Sequence, residues 1–169
     1  MTGSPMPDTR QPQLLIIGVG NPFRGDDAAG LLAVRRLQSA GLGLAQVVEH
    51  SGEGASLMDV WKGARAVILI DAVSSGGRPG TICRLEPTTT PLPAEMFQGS
   101  THAFSIPQAI EMARALNELP PCMVVFGIEG KNFQAGMELS KEVNDALPEL
   151  VRRVLEEATS IETTPGNGE

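Results

Sequence analysis

Leu14 to Gly30 reads LLIIGVGNPFRGDDAAG, and its reading decides the fold. Leu14, Leu15, Ile16 and Ile17 form a continuous apolar run with no helical spacing, which predicts a strand buried on both faces of a mainly parallel sheet. Gly18-Val19-Gly20 lets the backbone turn sharply at the end of that strand, and Asn21-Pro22 adds a second turn signal. Asp26 and Asp27 then open a segment in which Leu31, Leu32, Val34 and Leu37 follow a helical period. One aspartate is expected to cap this helix, from about Asp27 to Ser39, leaving the other facing a cleft; Asp26 takes the capping role and Asp27 the cleft. A dinucleotide-binding turn is excluded by spacing, because GxGxxG would need glycine where Phe23 stands. The paired acids would also repel a phosphate at that helix end.

Outward from this stretch, 169 residues suffice for one domain, which would bury around 70% of the surface of the unfolded chain. The expected division is a disordered tail over 1–12, a single domain over 13–160 and a flexible tail over 161–169. A net charge of -7 and a pI near 4.9, without a lysine or arginine cluster, argue against nucleic acid as a partner. Cys83 and Cys122 lack CxxC or His/Cys spacing and read as buried reduced thiols, which implies a cytoplasmic location. No window reads as a signal peptide or a membrane span.

Further along, Leu44 to Glu49 predicts a short strand, and Ser56 is expected to cap a short helix carrying Leu57, Met58, Val60 and Trp61. Ala66 to Ile70 is a second wholly apolar run, a central strand with Asp71 just after its last buried residue. Two readings of Asp71 stand: a cap for the turn through Ser74 and Gly76, or an acid that meets Asp27 at the carboxyl edge of the sheet, where ligands of open α/β sheets bind. Gly80 to Leu85 reads as a strand that must run antiparallel, since the connection before it is too short for a crossover. Glu86 to Gly99 reads as a long loop near the cleft with Phe97 and Met96 as anchors. His102 precedes a Ser105-Ile106-Pro107-Gln108 capping box and its helix. Met123 to Ile128 gives the last strand, Glu129 a solvated strand end, and Ser140 the cap of a terminal helix kinked at Pro148. The order β-α-β-α-β-β-α-β-α predicts a three-layer α/β/α sandwich with a mixed sheet.

Asp27, Asp71 and His102 together offer two hard oxygens and one borderline nitrogen, a set suited to a first-row divalent ion with open coordination positions. Singly, each has a structural reading as well. Neither HExxH nor a Ser/His/Asp or Cys/His constellation is evident.

With these residues in view, the chain resembles the hydrogenase maturation proteases, endopeptidases that trim the C-terminal tail of the nickel-iron hydrogenase large subunit precursor. The resemblance covers Leu14 to Leu155 and rests on GVGNPFRGDDAAG at Gly18 to Gly30, SGEGASL at Ser51 to Leu57, LIDAV at Leu69 to Val73 and STHAFSIPQAI at Ser100 to Ile110. It implies a mostly parallel five-stranded sheet with one antiparallel strand between helical layers. It also implies that Asp27, Asp71 and His102 bind a metal, the nickel already loaded into the hydrogenase precursor, so that the partner is that precursor. Whether the metal takes part in hydrolysis or serves only for docking stays open at this level, and so does a non-proteolytic nickel-binding chaperone. A small-molecule hydrolase would need an anion pocket that the sequence does not offer.

Overall fold

The computed structural model describes residues 13–43, 45–97 and 104–164. Five strands, β1 (Leu14–Val19), β2 (Gln46–His50), β3 (Ala66–Val73), β4 (Ile82–Leu85) and β5 (Cys122–Glu129), form one sheet in the order β2-β1-β3-β5-β4. β1, β2, β3 and β5 are parallel to their neighbours, and β4 alone runs antiparallel, against β5. Four helices, α1 (Ala29–Ala40), α2 (Gly54–Trp61), α3 (Ile106–Ala115) and α4 (Lys141–Thr163), cover the faces. The architecture is the expected α/β/α sandwich.

Side chains alternate along each strand, so the apolar run of β1 divides between two cores. Leu14 and Ile16 join Ile68, Ile70, Val124 and Phe126 beneath α1 and α4, whose buried stripe is Val143, Leu147, Leu150 and Val154. Leu15 and Ile17 join Val67, Leu69 and Val125 beneath α2 and α3, where Trp61 is fully buried. Both faces of β1 and β3 are thus dry, which is why neither sequence shows polar alternation.

β3 already has β1 and β5 as partners, so the chain leaving it reaches the outer edge of β5 through Ser74 to Thr81 and reverses direction there. The two edge strands are short and half-buried. Each carries a charged residue paired to a helix: Glu49 of β2 to Arg35 of α1 at 2.6 and 3.0 Å, and Arg84 of β4 to Glu157 of α4 at 2.7 and 2.8 Å.

Several expectations change in detail. α2 is capped by Glu53, whose carboxylate accepts the backbone N–H groups of Ala55 and Ser56, and not by Ser56. A carboxylate reaching two amides at a helix start satisfies more donors than a serine one turn further in. α3 keeps its expected capping box, in which Gln108 Oε1 accepts both the N–H and the hydroxyl of Ser105. Ser140 caps α4, and Pro148 sits inside that helix without ending it. α4 also continues through Thr163, into the stretch expected as a tail. The expected tail over 1–12 lies outside the described residues, as does 165–169. Cys83 and Cys122 are free and half-buried rather than buried, and burial pushes both thiols up. Among the described residues no helix is long and apolar enough to cross a membrane.

Candidate functional site

The chain leaves β1 at Val19 and is fixed at once, because the N–H of Gly20 donates to the carbonyl of His50 at 3.0 Å. Asn21 Oδ1 accepts the N–H of Phe23 at 2.9 Å, closing a tight turn. A 3-10 helix over Gly25–Ala28 then leads into α1. This segment returns so close to the strand that a Cβ on Gly20 would lie 1.9 Å from the carbonyl oxygen of Asp27. Glycine at position 20 is therefore what lets Asp27 stand beside the end of β1.

Asp71 comes to the same place from β3. The strand continues through Val73, so Asp71 pairs with Gly127 of β5 inside the sheet instead of following its last buried residue. It is 7% exposed. Burial, and next the negative charge of Asp27, push its carboxyl well above the usual carboxylate range. The two acids share a cleft of about 310 Å³ at the carboxyl ends of the strands, with Phe23, Ser51, Phe97 and Ile106 in its walls. Asp71 therefore borders the cleft beside Asp27.

The turn beyond β3 is held by Glu129 instead. That residue is 4% exposed, not solvated as expected, and accepts the N–H of Ser75 at 2.9 and 3.2 Å, the Ser75 hydroxyl at 2.7 Å and the N–H of Gly76 at 3.1 Å. Glu129→Ala leaves two backbone donors without their acceptor and is expected to cost about 1 to 3 kcal/mol, with Glu129→Gln costing less. Urea unfolding of the two variants measures the difference.

Asp26 departs from expectation more sharply. It does not cap α1, whose start has no side-chain cap. Fully buried, it accepts the N–H groups of Lys131 at 2.7 Å, Asn132 at 3.0 Å and Ser140 at 2.7 Å. Three charge-assisted bonds to a distant loop outweigh one cap. Adjacent acids thus divide their work: Asp26 braces the 131–140 loop and Asp27 faces the cleft.

At the end of β2, His50 Nδ1 accepts the N–H of Gly52 at 2.9 Å, so its Nε2 carries the proton toward Ser56 Oγ at 3.0 Å. This orders the Ser51-Gly52 turn that borders the cleft. Gly54 N–H donates to the carbonyl of Phe104 at 3.1 Å, tying α2 to the chain just before α3. His102 lies outside the described residues, between Phe97 and Ile106, both of which border the cleft. Among the described residues no three His, Cys, Asp or Glu side chains gather as a metal site.

A family model for hydrogenase maturation proteases matches residues 34–157. The chain belongs to the hydrogenase maturation protease family. It is 24% identical over 148 residues to the hydrogenase expression/formation protein HupD of Thiocapsa roseopersicina, covering 86% of this chain and 67% of that one. The NiFe hydrogenase maturation protease HybD from Thermococcus kodakarensis is similar at 27% identity and a TM-score of 0.68, over 86% of this chain and 99% of the other. The hydrogenase maturating endopeptidase HybD from E. coli shares the fold at a TM-score of 0.73 and 21% identity, over 88% and 93%.

In this maturation protease the cleft is acidic. Two carboxylates share it, one of them buried. Neither Cys83 nor Cys122 lines the cleft, so no thiol stands ready there as a nucleophile.

Proposed function

We propose that this family member is an endopeptidase that removes the C-terminal extension of a nickel-iron hydrogenase large subunit precursor after nickel insertion, recognising the metal carried by that substrate through Asp27, Asp71 and His102. The observation that carries the reading is the meeting of Asp27 and Asp71 in one cleft, with the Asp71 carboxyl pushed up by its burial and next by the charge of Asp27. Such a pair favours a cation over any anionic ligand. His102, read from the sequence, adds a nitrogen donor from the segment joining two cleft-wall residues.

The nickel arrives with the precursor and is part of the substrate. A divalent ion with open coordination positions polarises a carbonyl or lowers the pKa of a bound water. The chain's own residues hold the carboxylates in place: Gly20 admits Asp27, β5 pairs with Asp71, and Asp26 keeps the turn before Asp27 from drifting. Positioning of this kind accounts for specificity toward loaded precursor, since an empty precursor leaves the two acids in mutual repulsion.

Incubating the protein with nickel-loaded and nickel-free precursor, and weighing the precursor by mass spectrometry, tests the proposal. Loss of the tail from the loaded form alone is expected. His102→Ala is expected to slow that loss by about 10- to 100-fold or more, the scale on which metal-site partners act. Equal trimming of both forms overturns metal-gated recognition, and no trimming of either overturns the peptidase in favour of a non-proteolytic nickel-binding chaperone.

A further inference from the structure

Phe23 is 76% exposed, the most exposed of the large apolar side chains among the described residues, yet it belongs to the wall of the cleft that holds Asp27 and Asp71. Met137, 47% exposed, stands on the adjoining turn. Neither is presented by a slack loop. The carbonyl of Phe23 accepts the N–H of Gly136 at 2.8 Å, the N–H of Gly25 donates to the carbonyl of Met137 at 3.0 Å, and that of Asp26 donates to the carbonyl of Asn132 at 2.8 Å. The buried Asp26 carboxylate fastens the same loop at Lys131, Asn132 and Ser140. Phe23 is thus held in place at the wall of an acidic cleft, with Met137 on the turn hydrogen-bonded to it, and such preorganised aromatic anchors are where binding energy concentrates.

We propose that Phe23, with Met137 beside it, docks an apolar side chain of the precursor polypeptide and so sets which chain segment is brought over the two carboxylates. This inference rests on the endopeptidase reading above. Continuity with the cleft argues for the substrate as occupant, because a chain whose metal enters between Asp27 and Asp71 must pass the Phe23 wall. A second copy of the protein is disfavoured by charge: facing pairs would set two acidic clefts, on chains of net charge -7 each, against one another.

The test measures KM and kcat for nickel-loaded precursor, and the dissociation constant by calorimetry, for wild type, Phe23→Ser, Phe23→Leu and Met137→Ser. Phe23→Ser is expected to raise KM and the dissociation constant about tenfold or more while kcat stays within about twofold. Phe23→Leu is expected to restore most of the loss, and Met137→Ser to give a smaller rise. An unchanged KM and dissociation constant in Phe23→Ser overturns the proposal. So does a fall in kcat alone, or a wild-type dimer in sedimentation that Phe23→Ser dissolves. If wild type binds the precursor in a Phe23-dependent way but does not trim it, the endopeptidase reading fails and the docking site stands.

Discussion

Asp71→Asn is expected to slow tail removal by about 30-fold or more and to make the metal-free protein more stable. The loss follows from removing one of two carboxylates that converge on the cleft. Truncating one partner of a buried charged contact costs about 2 to 5 kcal/mol, or roughly 30-fold to several-thousand-fold in kcat/KM. The gain follows from what raises the Asp71 carboxyl, namely its burial and then the charge of Asp27. A carboxyl raised in the folded state contributes its stability below the unfolded value, about 3.9 for an aspartate, and loses it as pH rises through the folded value. At neutral pH the wild-type side chain is therefore a burden that asparagine does not carry. The variant should be no better than wild type near pH 4 and more stable at pH 8, by about 0.5 to 2 kcal/mol. For a domain of this size that is about 1 to 8 °C in Tm. Urea unfolding of both proteins at the two pH values, with chelator present, reads the difference. A less stable Asp71→Asn at pH 8 would contradict the account.

Gly30→Ala is expected to damage the fold itself. A Cβ at this position would lie 2.3 Å from the carbonyl oxygen of Val19 and 2.4 Å from that of Ile70, so α1 rests on the ends of β1 and β3 with no room for a methyl group. Backbone oxygens fixed in the sheet cannot step aside as a flexible side chain would. Overpacking against such neighbours costs about 3 kcal/mol or more, which corresponds to a fall in Tm of roughly 6 to 12 °C. Thermal unfolding followed by circular dichroism measures it. Because α1 must lift away from the strand ends, Asp27 at its threshold moves too, and processing of the precursor should fall further than the unfolded fraction explains.

Much of this arrangement is legible in local sequence. The apolar runs at Leu14 and Ala66 announce buried parallel strands, and the glycines around Val19 announce a close return of the chain. Placing Asp27 and Asp71 at one edge needs only the rule that parallel strands end on the same side. What local sequence does not reveal is the choice between neighbours. Nothing in Gly25-Asp26-Asp27-Ala28 says that Asp26 will find its donors at Lys131, Asn132 and Ser140, over a hundred residues onward. Nothing local shows that Glu129 is buried, because the donors its carboxylate accepts from, Ser75 and Gly76, lie on a turn distant in sequence. β3 reaches beyond its apolar run for a related reason. Asp71 interrupts an apolar run, yet β5 offers Gly127, Ile128 and Glu129 as partners, and pairing carries the strand on to Val73.

The sheet's two margins determine how a tail can approach. β2 and β4 are brief, and Glu49 and Arg84 lie locked to α1 and α4 by ion pairs along those margins. Charged, short borders are poor templates for an added strand. An incoming peptide therefore does not lengthen the sheet sideways, as β-augmenting ligands do. Its backbone is expected instead to cross over the strand tips and to be read by its side chains rather than by a ladder of main-chain bonds.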